Sequence, residues 1–186
     1  MVQDSAAREM RHARDTPMND LTRAEALAGI RQLSGLAATQ RSYLESALVI
    51  ICRALDVPLG KVLEMDGQEA LLHVRAGIGW RQGVAGHATV PANATSIAGY
   101  TLGQTGVVII DDVKETSRFT DAHLLRSHDV RSSLAARISC TGRLWGVLTV
   151  HEQRRRRFSP TEIQFVKDVA AELGTVIDAR AAAQTA

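Results

Sequence analysis

The sequence predicts an α+β domain. Its antiparallel sheet has five to six strands, with the N- and C-terminal helices on one face and loops and short helices lidding the other. Three observations carry this. Two turn signals, Asp66-Gly67 and Thr141-Gly142, each join a pair of strand-like runs, and a tight hairpin forces antiparallel pairing. Ser159-Pro160-Thr161-Glu162 is a capping box with proline at the first helical position, so a long helix opens there. The runs Val107–Ile110 and Trp145–Val150 are apolar at nearly every position, whereas an antiparallel strand wetted on one side alternates. Both sheet faces are therefore covered. The face left to loops and short helices is where a cavity is expected.

Residues 1–19 are polar and read as a flexible tail, and residues 20–182 as a single domain. A first helix runs from Asp20 to about Leu36, with Leu27, Ile30, Leu33 and Leu36 three apart and Gly29, Ser34 and Gly35 weakening it. A second, about Ser42 to Leu55, carries Leu44, Leu48, Ile51 and Leu55 on one stripe; Cys52 beside it reads as core filler. Lys61–Met65 is a strand, Asp66-Gly67 its two-residue turn, and Ala70–Ala76 the return strand, with Leu72, Val74 and Ala76 on one face. Residues 77–95 read as loop. Ser96 or Thr95 caps a short helix to Gly103, Val107–Ile110 is a strand, and a short helix falls near Asp121–Arg126. Strands at Ser132–Ser139 and Leu144–His151 follow, then a turn of four arginines, Arg154–Arg157. The last helix has the stripe Ile163, Val166, Ala170, Leu173 and Ile177.

Composition narrows the function classes. In 186 residues, 45% hydrophobic and 23% charged content excludes wholesale disorder, and a net charge of +2 does not call for nucleic acid or an acidic membrane. No apolar run is long enough to span a bilayer. Two cysteines, Cys52 and Cys140, make no disulfide framework, so a reducing cytoplasm is the expected compartment. The arginine turn reads as a solvated loop, with a docking patch for an acidic partner or anionic lipid as the alternative.

The stretches Val57–Glu64, Arg75–Trp80, Ser96–Leu102, Arg118-Phe119, Trp145–His151 and Arg157–Val166, in this order and spacing, resemble the GAF domain. The form they resemble is the sensor module of bacterial signalling proteins found beside histidine kinase and cyclic-di-nucleotide domains. The resemblance implies a sheet of about six antiparallel strands. It also implies terminal helices that pack together and often dimerise, and a ligand, where one exists, on the opposite side.

Enzyme signatures are absent: no nucleophile elbow, Walker loop, Gly-x-Gly-x-x-Gly fingerprint or zinc-type Cys/His spacing occurs. Some GAF domains reduce methionine sulfoxide through clustered cysteines, but Cys52 and Cys140 lie on different elements. No Cys-His dipeptide is present, so a covalent bilin is not expected. Haem is disfavoured, with His87, His123, His128 and His151 as the axial candidates by position. The Asn-Lys…Phe…Asp-Glu signature of cyclic-nucleotide GAF domains is incomplete, retaining only Lys114 and Phe119. No metal site is expected.

Trp80, Ser96, Tyr100, Phe119, His128 and Ser132 are the expected polar and aromatic anchors of a pocket beneath the lid. The sequence therefore leads us to expect a non-enzymatic sensory or regulatory protein, homodimeric through its terminal helices, binding a small molecule or a signalling partner. Its output would act through a partner chain or through further parts of a longer protein. The alternatives are a ligand-free dimerisation module and a haem or redox protein.

Overall fold

The computed structural model describes Met18 and residues 20–119 and 123–185; the predicted tail, apart from Met18, lies outside them. The elements run α1 (Asp20–Leu36), α2 (Gln40–Leu55), β1 (Leu59–Asp66), β2 (Leu71–Ile78), β3 (Thr89–Pro91), α3 (Ile97–Leu102), β4 (Val107–Ile110), α4 (His123–Arg126), β5 (Ser132–Cys140), β6 (Arg143–Glu152) and α5 (Pro160–Thr185). A 3-10 turn at Val113–Glu115 lies between β4 and α4.

The six strands form one sheet in the order β3-β2-β1-β6-β5-β4, and every neighbouring pair is antiparallel. The central pair is β1 and β6, in register with Lys61 opposite Thr149 and Val62 opposite Leu148. On one face lie α2 and α5, and α1 packs on both. Leu44, Leu48 and Ile51 of α2, Phe165, Val169 and Leu173 of α5, and Val62, Leu148 and Val150 of the sheet form the core there. On the other face Leu59, Leu63, Val74, Ala135 and Val147 meet Ile97, Phe119, Leu125 and Val130 of the lid.

Local signals set most boundaries. At α5, Ser159 N–H donates to Glu162 Oε2 (2.7 Å) and Glu162 N–H to Ser159 Oγ (3.3 Å), the predicted capping box. Ser96 caps α3 by accepting from Gly99 N–H at 2.9 Å. The turn between β5 and β6 is Thr141-Gly142, with Gly142 at φ +72, a left-handed value that glycine adopts without strain. At α2 the helix starts two residues before the predicted Ser42. A second capping box does this: Ser42 N–H donates to Thr39 Oγ1 (3.0 Å) and Thr39 N–H to Ser42 Oγ (3.1 Å).

Three differences from the sequence reading matter. Residues 77–95 are not all loop: Thr89–Pro91 pairs with β2 as an edge strand. The first hairpin turn is not two residues long. Asp66 Oδ1 accepts from Gln68 N–H (2.9 Å), and residues 67–70 bridge the strands. Leu72, Val74 and Ala76 do not share one face. The pairing of β1 and β2 shifts between Val62 and Leu63, which sends Ala76 to the helix side while Leu72 and Val74 stay on the lid side. Of the predicted helix at 121–126, His123–Arg126 is helical and 121–122 lie outside the described residues.

The arginine turn is an internal brace. Arg154 pairs with Glu152 (3.2 Å), Arg155 with Glu115 (3.1 Å), Arg157 with Asp111 (3.5 Å), and Arg156 with the buried Glu162. Arg156 also donates to Asp56 O at 3.2 Å, and its guanidinium lies 5.2 Å from the centre of the Phe158 ring. It thereby ties the end of α2 to the start of α5.

Candidate functional site: a buried lysine under the lid

Alternation along the two central strands places Leu59, Lys61 and Leu63 of β1, and Val147, Thr149 and His151 of β6, on the lid face. The lid face is thus apolar at one end and polar at the other. The polar end is fully enclosed: Lys61 is 3% exposed, and Ser133, Thr149 and His151 are at most 1% exposed.

These polar groups form an ordered chain. Ser133 Oγ lies 2.7 Å from His151 Nδ1, His151 Nε2 lies 3.0 Å from Thr149 Oγ1, and Thr149 Oγ1 donates to Lys61 O at 3.5 Å. If Thr149 donates to the carbonyl, it accepts from Nε2–H, and Ser133 donates to Nδ1. His151 is then neutral with both ring nitrogens engaged. Burial and the neighbouring Lys61 charge hold its pKa well below the ordinary value.

Lys61 differs from its neighbours. Its Nζ makes no hydrogen bond or ion pair to any described residue. It lies 4.3 Å above the Trp80 ring, a cation–π contact. Burial pushes its pKa down to about 7. Trp80 is itself fixed: its Nε1–H donates to Gly60 O at 2.8 Å, and its ring meets His128 and His151 edge-on at 4.8 and 5.3 Å. His128 Nε2 accepts from Arg81 N–H at 3.0 Å and its Nδ1 lies 2.9 Å from Leu124 O, so it latches the loop after β2 to the end of α4.

A small cavity borders this cluster, walled by Lys61, Thr149, His151 and Ser96 on its polar side and by Val90, Ile97, Ala98, Leu124 and Leu125 on its apolar side. The room it leaves for a water molecule's centre is about 20 Å³, enough for about one water.

Of the six residues expected at the site, Ser96 lines this cavity, Trp80 packs against Lys61 and His151, and His128 meets the Trp80 ring behind them. Ser96 Oγ is already committed, donating to Pro91 O at 2.7 Å and capping α3. Tyr100 and Phe119 form a separate edge-on pair, centroids 6.0 Å apart, with the Arg118 guanidinium 4.6 Å from the Tyr100 ring centre. Ser132 is not at the site. Its Oγ lies 2.6 Å from Arg154 O and accepts from Arg156 N–H at 2.6 Å, pinning the arginine turn to β5. Lys61 and Thr149 were not foreseen as site residues. The available signal was a lone lysine in a strand hydrogen-bonded on both sides and covered on both faces.

The other described histidines and the cysteines lie elsewhere. His87 and His123 are exposed. Cys52 and Cys140 sit in the helix-side core, and burial first of all raises their thiol pKa values to about 12 and about 11. Asp66, Glu69 and His73 come together at the first hairpin. The Asp66 carboxylate there serves the turn and faces His73 Nε2 at 3.4 Å, which accounts for their closeness without an ion.

With the geometry in place, the comparisons are consistent. The family model described as GAF domain matches residues 40–177, and the chain belongs to the GAF domain family. The GAF domain of a Coxiella burnetii phosphoenolpyruvate-protein phosphotransferase superposes with a TM-score of 0.81 at 19% identity, covering 90% of this chain and 99% of that one. The corresponding Acinetobacter domain gives 0.77 at 18%, covering 91% and 100%. Free methionine-R-sulfoxide reductase from Neisseria meningitidis, solved with its substrate, gives 0.73 at 18%, covering 89% and 95%. At these identities the likeness establishes the fold. No curated protein matches the chain. Among the described residues no helix is long and apolar enough to cross a membrane.

Proposed function

We propose that this protein is a non-enzymatic sensory or regulatory GAF protein that binds a small molecule between the sheet and the lid. The observation that carries the reading is the enclosed polar cluster of Lys61, Thr149 and His151. It lies on the sheet face away from the helices, beside a cavity whose opposite wall is built from β3, α3 and the single turn of α4. Polar groups are costly to bury, and a cluster at that place serves recognition better than packing. Occupancy of the cavity shifts α3 and α4 relative to β1 and β6, and the same two strands carry the packing of α2 and α5 on their reverse face. The bias transmitted equals the difference in ligand affinity between the two lid positions. The burial and separation of Cys52 and Cys140 support a non-enzymatic role over a thiol reductase. A homodimer through α1 and α5 is the assembly we propose, with Leu21 and Leu36 exposed on α1. A thermal-shift screen of the full chain against metabolites and nucleotides tests the reading; reproducible, saturable stabilisation by one chemical class is expected.

One observation favours a second reading. Room for about one water is little for a sensor pocket, and it suits a ligand-free dimerisation module. Under that reading no compound stabilises the fold.

A further inference from the structure

We propose that the cavity beneath the lid is a site for a short aliphatic monocarboxylate, with Lys61 as its counter-charge. This rests on the small-molecule reading above and names the ligand class for it. Lys61 is 3% exposed, lines the cavity, and has neither a carboxylate nor a hydrogen-bond acceptor among the described residues. None of the nine described residues that wall the cavity is acidic. The other polar groups are already satisfied: His151 by Ser133 and Thr149, and Ser96 by Pro91 O and Gly99 N–H. Among the described residues the cavity therefore offers one uncommitted donor, and that donor bears positive charge when protonated. An anion is the species that completes it, because an ammonium in a low-dielectric site gains most from an opposite charge in hydrogen-bond contact.

The remaining walls set the rest of the ligand. Val90, Ile97, Leu124 and Leu125 are aliphatic and suit a short alkyl group in place of a second charge. The neutral His151 adds no competing charge. A ligand larger than one water requires part of the lid wall to move, and two of its residues, Leu124 and Leu125, lie on the single turn of α4. Binding and lid displacement are thereby one event.

The test uses the full chain in a buffer of constant ionic strength balanced with gluconate, an anion too bulky for the cavity. Thermal shift and calorimetry are run with formate, acetate and propionate, and with formamide, acetamide and propionamide as uncharged counterparts. At least one carboxylate is expected to bind saturably and its amide not to bind. In Lys61→Met the affinity is expected to fall about 10- to 100-fold, as for loss of a charge-assisted hydrogen bond. The Met variant is also expected to melt higher than wild type without ligand, which a structural lysine would not allow. Lys61→Gln, of similar length and uncharged, provides the second reading should the Met variant misfold. Equal response to acid and amide overturns the proposal, as does carboxylate binding retained in both variants. Binding of a neutral compound from the wider screen, with no carboxylate response, overturns it and leaves the sensor reading standing. No binding of any kind removes both.

Discussion

Lys61 is a charged side chain buried among Ser133, Thr149 and His151 on the lid face of the sheet. Its depressed pKa ties stability to pH with a definite sign. Between about 7 in the folded state and 10.5 in the unfolded chain, the unfolded state holds the extra proton, so stability rises with pH across that window. His151 acts in the same direction at lower pH. It stays neutral when folded, so unfolding takes up a proton as pH falls through 6.5, and stability is lost there. At the acid end, hydrogen bonding to Arg131 first of all holds Asp112 down to about 2 from 3.8, and that contribution disappears as pH drops between those values. Urea unfolding of wild type and Lys61→Met from pH 6 to 10 is expected to show a shallower rise with pH in the variant. At pH 6 the variant is expected to be more stable, by on the order of 1–4 kcal/mol, the range seen when buried ionic groups give way to apolar ones.

At the scale of elements, α5 holds the account together, because it closes the helix-side core and begins at the brace formed by the arginine turn. Where α5 crosses β5, a Cβ on Gly174 would sit 2.2 Å from Ser139 O. That neighbour is backbone and cannot rotate away, so Gly174→Ala must lift the helix from the strand. A loss of about 1–3 kcal/mol is expected in chemical denaturation. At the other end Ser159→Ala is expected to cost about 1 kcal/mol by removing the N-cap acceptor. Glu162→Ala is expected to cost more than Ser159→Ala. It leaves both Ser159 N–H and the mostly buried Arg156 guanidinium without their carboxylate.

These elements also show why some of the structure was legible in the sequence and some was not. The Ser159 box, the Ser96 cap and the Thr141-Gly142 turn involve residues at most three apart, so the chain itself carries the signal. The edge strand at Thr89–Pro91 is three residues long and exists through pairing with β2, which no local pattern encodes. The shift between Val62 and Leu63 likewise depends on a partner strand, and with it the side to which Ala76 turns. The site followed the same division. Trp80, Ser96 and His128 stand out as aromatic, capping or titratable residues in the lid. Lys61 and Thr149 acquire their meaning from being opposite one another in β1 and β6. Ser132 resembled a site residue by its place at the start of β5, but three backbone groups claim its hydroxyl.

Across the whole molecule, the sheet separates two different coverings. The helix side is a continuous apolar core with ion pairs at its rim, such as Arg31 with Glu172 at 2.9 Å. The lid side is thinner, made of short elements, and contains the buried polar cluster. The proposed ligand-linked motion belongs to the lid, and the proposed assembly to the helices. Leu21 and Leu36 are 68% and 80% exposed on α1. Analytical ultracentrifugation is expected to show a dimer for wild type and a monomer for the Leu21→Glu/Leu36→Glu double variant, with little change in melting of the isolated fold.

A buried ammonium with no counter-ion among the described residues sits between the sheet and the lid. The chain contains three lysines, Lys61, Lys114 and Lys167, and the last two are exposed. A pH titration of the side-chain carbon signals of uniformly labelled lysine therefore addresses the claim with three resonances. One resonance titrating at about 7, and missing in Lys61→Met, is the predicted result. Three resonances with none changing near neutrality would contradict the account.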